Sequence, residues 1–79
     1  MSWGLLPVEV REVAVSVLTA RQLEAWKLEL AGLSLRQIAG GQSVSVSTVR
    51  GRLRDVRHKL RMAGVEQDSG GRFFVRRRA

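Results

Sequence analysis

Between Thr19 and Ser45 the chain three times sets a small hydroxyl residue just ahead of an apolar run spaced at helical intervals: at Thr19, at Ser34 and at Ser45. The first backbone N–H groups of a helix have no partner inside it, and a Ser or Thr oxygen placed just before them accepts one. Gln22 follows Thr19 by three residues and Gln37 follows Ser34 by three. That is the spacing of a capping box, in which cap and glutamine satisfy each other's backbone donors. After the first cap, Leu23, Trp26, Lys27 and Leu30 recur at one-turn intervals, with Leu28 widening the apolar face and Gly32 suited to end the helix. After the second, a short helix runs through Ile38 and Ala39 and is expected to stop near Gly40 and Gly41. After the third, Val49, Leu53, Val56 and Leu60 form one stripe.

Upstream, Pro7 stands where a helix tolerates a missing N–H, and Leu6, Val10, Val13, Ala14 and Val17 recur at helical spacing. The valines also suit a strand, but alternation gives out at Glu12–Val13 while the helical stripe continues, so a helix is expected over about residues 7–17. Beyond Gly64, Val65-Glu66-Gln67 and Arg72-Phe73-Phe74-Val75 flank the turn-forming Asp68-Ser69-Gly70-Gly71. Residues 65–79 therefore read as a small wing-like β-hairpin or as a basic tail. The expected fold is an all-α bundle of three to four helices containing a helix-turn-helix. It forms a single domain over residues 1–79 with its core in 18–60, and the C-terminal hairpin is optional.

With no cysteine and His58 as the sole histidine, disulfides and zinc sites do not enter, and no cofactor is expected. The core must come from aliphatic residues and two tryptophans. Trp26, inside its stripe, reads as core; Trp3 reads equally as packed or as a partner contact. No apolar run approaches a membrane span and no export signal is recognisable, so a cytoplasmic, nucleoid-associated location is expected. Ser43, Ser45 and Ser47 have no accompanying base and acid and are better explained by turn and cap chemistry, so no enzyme is expected.

The net charge of +7 is unevenly distributed. Residues 1–31 carry three basic residues against four acidic ones, and residues 32–79 carry eleven against three. Five of the eleven lie between Arg50 and Lys59, so the imbalance does not rest on the terminal arginines alone. A narrow apolar stripe under a nearly all-basic surface is how a helix looks when it packs on one side and faces phosphate on the other. Two short helices joined by a tight turn must cross steeply. Ala39 allows the close approach and Val44 plugs the angle, which leaves the first turn of the helix from Ser45 to Leu60 pointing outward.

Leu18-Thr19-x-Arg21-Gln22-x-Glu24, Gly32-Leu33-Ser34, Ile38-Ala39, Ser45 and Thr48-Val49 together resemble the C-terminal DNA-binding domain of LuxR-type response regulators. The same segment, residues 18–60, is similar to the fourth conserved region of sigma-seventy-type sigma factors. The resemblance implies that Val46, Ser47, Arg50, Gly51 and Arg54 face base edges. It also implies that Arg36, Thr48 and Arg52 meet the DNA backbone, and the bottom-up reading adds Ser45, Arg57 and His58 to the phosphate set. Arg50 and Arg54 lie off the apolar stripe on one face, and Arg binds guanine at two points. The chain departs from the family at Gln42, where a Leu is usual, and at Ser43, where a Gly is usual. Gly40 and Gly41 each weaken a helix by about 1 kcal/mol relative to Ala. The family's fourth helix, often used for dimerisation, has no counterpart after Gly64.

The function expected is sequence-specific binding of double-stranded DNA by a bacterial or phage transcription regulator, as a monomer or a homodimer. Two other functions fit the same residues. One is an interaction module resembling sigma region four that docks on RNA polymerase or another regulator through residues 3–17. The other is the DNA-binding subunit of a phage packaging or recombination complex.

Overall fold

A computed structural model describes residues 2–76 of the chain. Among these residues a 3-10 turn, Trp3–Leu5, leads into four helices: α1 (Val8–Val17), α2 (Ala20–Leu30), α3 (Leu35–Gln42) and α4 (Val46–Met62). Strands β1 (Val65–Gln67) and β2 (Phe73–Val75) follow as an antiparallel hairpin. The fold is a helical bundle with a small C-terminal wing. Of the basic tail residues, Arg77 and Arg78 lie outside the described residues.

The three hydroxyl caps sit where the helices begin. Thr19 Oγ1 accepts the Gln22 N–H at 3.2 Å, and Gln22 Oε1 accepts the Thr19 N–H at 3.1 Å. Ser34 and Gln37 repeat the exchange at 3.2 and 2.8 Å. Ser45 Oγ accepts the Thr48 N–H at 3.1 Å and shares a hydrogen bond with the Thr48 hydroxyl at 3.0 Å. Pro7 lies one position earlier than expected: it is the N-cap of α1, with ψ at 143°, and the helix starts at Val8.

Two apolar clusters make the core, and α2 and α4 contribute to both. Val10, Ala14, Trp26, Val56, Leu60 and Val65 lie in the first, closed by α1 and the hairpin. Ala25, Ile38, Ala39, Val49 and Leu53 make the second, between α3 and the first half of α4. Trp26 is buried and meets Trp3 and Phe73 edge-on, at centroid distances of 5.9 and 5.6 Å. Such edge-to-face pairs suit the aromatic quadrupole. They join the N-terminal turn, α2 and β2 at one ring, so Trp3 is a packed residue.

The hairpin's strands pair Val65 with Val75, Glu66 with Phe74 and Gln67 with Phe73. Asp68 organises its loop: Oδ1 accepts the N–H groups of Gly70 and Arg72, both at 2.9 Å. Gly71 takes the left-handed conformation, φ 83°, that the loop needs to close.

The end of α3 differs from the expectation. Gly40 and Gly41 lie inside the helix, which runs on to Gln42 and turns at Ser43. The Val44 N–H reaches the Ala39 carbonyl at 3.0 Å and the Ser43 N–H reaches that of Gly40 at 3.3 Å. This Schellman closure uses the carbonyls that a stop at Gly40 would orphan. Its left-handed position, φ 56° and ψ 43°, is filled by Ser43. A side chain there is strained where Gly is not. Ser43→Gly is therefore expected to raise stability by about 0.5–1 kcal/mol, read as a higher denaturant midpoint with unchanged slope.

Candidate nucleic-acid interface

The candidate surface is the outer side of α4 with the start of α3. Val49, Leu53, Val56 and Leu60 are buried, so the opposite stripe is set by helical geometry. It consists of Ser47, Gly51, Arg54 and His58, with Arg50 beside it. Ser47, Arg50, Arg54 and His58 are exposed, and Gly51 is half-buried between its longer neighbours. A Cβ added at Gly51 meets nothing within 4 Å. The bare backbone at Gly51 is thus not required by packing within the chain.

The other candidate residues are distributed as follows. Val46 is half-buried and packs with Val44 against the second core cluster, so it closes the helix-helix angle as well as bordering the outer face. Ser45 and Thr48 are exposed and occupied with each other in the cap. Arg36 is exposed in the first turn of α3. Arg57 is paired with Glu29 of α2 at 2.7 Å. Arg52 is half-buried and donates to Gln42 Oε1 at 2.8 Å. Lys59, adjacent to these, donates to Gln22 Oε1 at 2.9 Å. Arg52, Arg57 and Lys59 are thereby drawn back toward the body of the protein. Arg36, Arg50 and Arg54 have no carboxylate partner among the described residues.

Gln42, marked in the sequence only as a departure from the family, has a bonding role that sequence reasoning missed. It is the one buried polar side chain among the described residues, at 4% exposure. Its Nε2 donates to the Arg21 carbonyl at 3.1 Å and to Glu24 Oε1 at 3.0 Å, and its Oε1 accepts from Arg52. The chemistry of the neighbours dictates which way the amide points. A guanidinium only donates, so it must meet the oxygen; a backbone carbonyl and a carboxylate only accept, so they must meet the nitrogen. One side chain therefore ties α2, α3 and α4 together beside the turn. The signal was present as a polar residue in an apolar position, but its partners are 21, 18 and 10 residues away and no local pattern names them.

No family model, curated protein or solved structure matches this chain.

Removing the Gln42 amide leaves the Arg52 guanidinium without its acceptor and opens a void at a buried position. Gln42→Ala is expected to cost about 2–3 kcal/mol of folding stability. Arg52→Ala, which leaves Gln42 two of its three bonds, is expected to cost about 1 kcal/mol. Chemical denaturation of the two variants measures the difference, and equal losses would refute the assignment of Gln42 as the hub.

Proposed function

We propose that this chain is a sequence-specific double-stranded-DNA-binding regulator of transcription that inserts α4 into the major groove with its N-terminal half leading. The observation that carries this reading is the pair Arg50 and Arg54. Both are exposed, they lie one helical turn apart on either side of Gly51, and neither has a carboxylate partner among the described residues. Leaving two cations unpaired within one turn raises the energy of the free protein through like-charge repulsion. A polyanionic partner removes that cost. The guanidinium fork matches the two acceptors of guanine in the major groove, which gives these positions the means to read sequence.

The surrounding residues suit the backbone-positioning role. Arg36 is exposed in the first turn of α3, and the start of α4, capped at Ser45, is a helix N-terminus of the kind that binds phosphate. Arg52 acts through its bond to Gln42, which holds α4 at a set angle to α3. Exposed Arg72 in the hairpin supplies a further cation beyond the helix-turn-helix. The resemblance of residues 18–60 to LuxR-type and sigma region-four domains supports the same reading.

Affinity for DNA is expected to fall steeply with salt as counterions are displaced. Arg50→Ala and Arg54→Ala should each cost about 1–3 kcal/mol on a preferred duplex and flatten base preference. Arg36→Ala should weaken all duplexes alike and reduce the log–log salt slope by about 1. Selection of duplexes from a random pool, followed by titration of the winners, measures both. Unchanged affinity and preference in the Arg50 and Arg54 variants would remove α4 from the groove.

Gly51 separates stability from binding. Its replacement by Ala meets no clash within the chain and removes the helix penalty of glycine, so Gly51→Ala should stabilise the free protein by about 1 kcal/mol. If the bare backbone admits close approach of a base edge, the same variant binds the selected duplex less tightly. A variant that melts higher and binds weaker is the expected outcome, read by thermal unfolding and titration of one preparation.

A further inference from the structure

We propose that the outer face of α1 joins two copies of this chain into a two-fold dimer, with α1 packed antiparallel on α1 of the second copy. α1 has two apolar faces. Val10 and Ala14 are buried in the core, while Val8 and Val15 on the opposite side are 57% and 59% exposed, with Leu5 just before them at 76%. Val8, Arg11, Glu12 and Val15 line one shallow groove together with Trp3. Lys27 covers the Trp3 ring, 4.7 Å from its centroid. An amphipathic helix in a bundle needs only one apolar face. The second has no use inside this fold.

The order of residues on that face selects the occupant. Val8 and Val15 are equidistant from the midpoint between Arg11 and Glu12. A two-fold axis through that midpoint sets Val8 on the second copy's Val15, and Arg11 on the second copy's Glu12, and both contacts occur twice. The four α1 residues of the face thus each meet a complement, apolar on apolar and cation on anion. A parallel arrangement would set Arg11 on Arg11 and Glu12 on Glu12, which like-charge repulsion disfavours. Arg11 adds an independent observation. Its Nε is buried and makes no hydrogen bond, alone among the buried side-chain polar atoms of the described residues. No ion pair among the described residues engages this guanidinium, so pairing with the second copy's Glu12 falls to its terminal nitrogens and not to the enclosed Nε.

Other occupants suit the face less well. It carries one positive and one negative charge between its valines, with Glu9 alongside. An anionic lipid surface or a nucleic acid would meet no net positive charge there. The face also stands apart from the DNA-facing stripe, because α1 packs in the cluster of Val56 and Leu60, in the second half of α4. A helix of 10 residues is about 15 Å long, so the contact falls at the small end of specific interfaces and the dimer is weak and reversible.

Sedimentation equilibrium of the full chain without DNA, from low micromolar to millimolar concentration, tests the proposal independently of DNA binding. The expected result is a mass rising from one copy to two. Val15→Glu removes an exposed apolar contact and should leave the mass at one copy throughout, with an unchanged thermal melt. Glu12→Arg, also at an exposed position, should weaken association by about tenfold or more. The double exchange Arg11→Glu with Glu12→Arg recreates the complementarity in reverse and should restore it. A mass that stays at one copy at every concentration overturns the proposal. So does a dimer that survives Val15→Glu, or a double exchange that associates no better than Glu12→Arg alone.

Discussion

The geometry of the helix-turn-helix depends on one buried amide. Gln42 occupies the last position of α3, where the chain is about to reverse into α4, and its three hydrogen bonds reach α2 twice and α4 once. An apolar residue there would contribute burial without direction. An amide buried with all three groups paired contributes direction, because any rotation of α4 against α3 strands a donor or an acceptor away from water. The crossing angle is thereby tied to a small set of bonds whose failure is costly. This matters more here than in a larger domain, since the second core cluster has five buried members, two of them alanines.

That bond network also divides the charge of α4. Helical spacing puts basic residues on several sides of a stripe only one residue wide, so they cannot all face one partner. Arg52, Arg57 and Lys59 are each drawn back by an acceptor on α2 or α3. Exposed ion pairs such as Arg57 with Glu29 contribute little to stability. Their effect is to withdraw those cations, so that the arginines of α4 without an ion pair or an acceptor side chain among the described residues are Arg50, Arg54 and Arg61. A surface that attracted phosphate equally all around the helix would bind DNA in several orientations. Two of those acceptors, Gln22 and Glu29, lie in the first third of the chain, and the third, Gln42, ends α3.

Local features were legible in the sequence and long-range ones were not. Caps and stripes involve residues three or four apart, and every helix start lies within one residue of its signal, with Pro7 the only displaced one. The hairpin and the tail remained alternatives because they differ in whether Phe73 finds Trp26, a contact across most of the chain. Helix α3 was expected to stop near Gly40 and Gly41 because glycine propensity argues so. It continues because Gln42 and Val44 have partners elsewhere, an instance of tertiary packing overriding propensity. For the candidate site, the exposed positions of Arg50 and Arg54 followed from the stripe alone. The involvement of Arg52 and Arg57 did not, since nothing near them in sequence marks Gln42 or Glu29.

The glycines separate what the fold needs from what it merely tolerates. Gly32, Gly64 and Gly71 have φ near +90°, where a side chain is strained, and each closes a helix or the hairpin loop. At Ser43 the same conformation is taken by a residue that strains it, so there the need for a turn outweighed the choice of side chain. Gly51 is the reverse case. It lies in the middle of α4 with ordinary helical backbone and open space at its Cβ position, so it weakens the helix and relieves nothing. Its neighbours Arg50 and Arg54 also raise the energy of the free protein, by repulsion. Three features that each disfavour the isolated chain therefore coincide within one turn of the most basic helix. Packing within the chain explains none of them, and the contact with an anionic groove proposed above is the reading that gives all three a use.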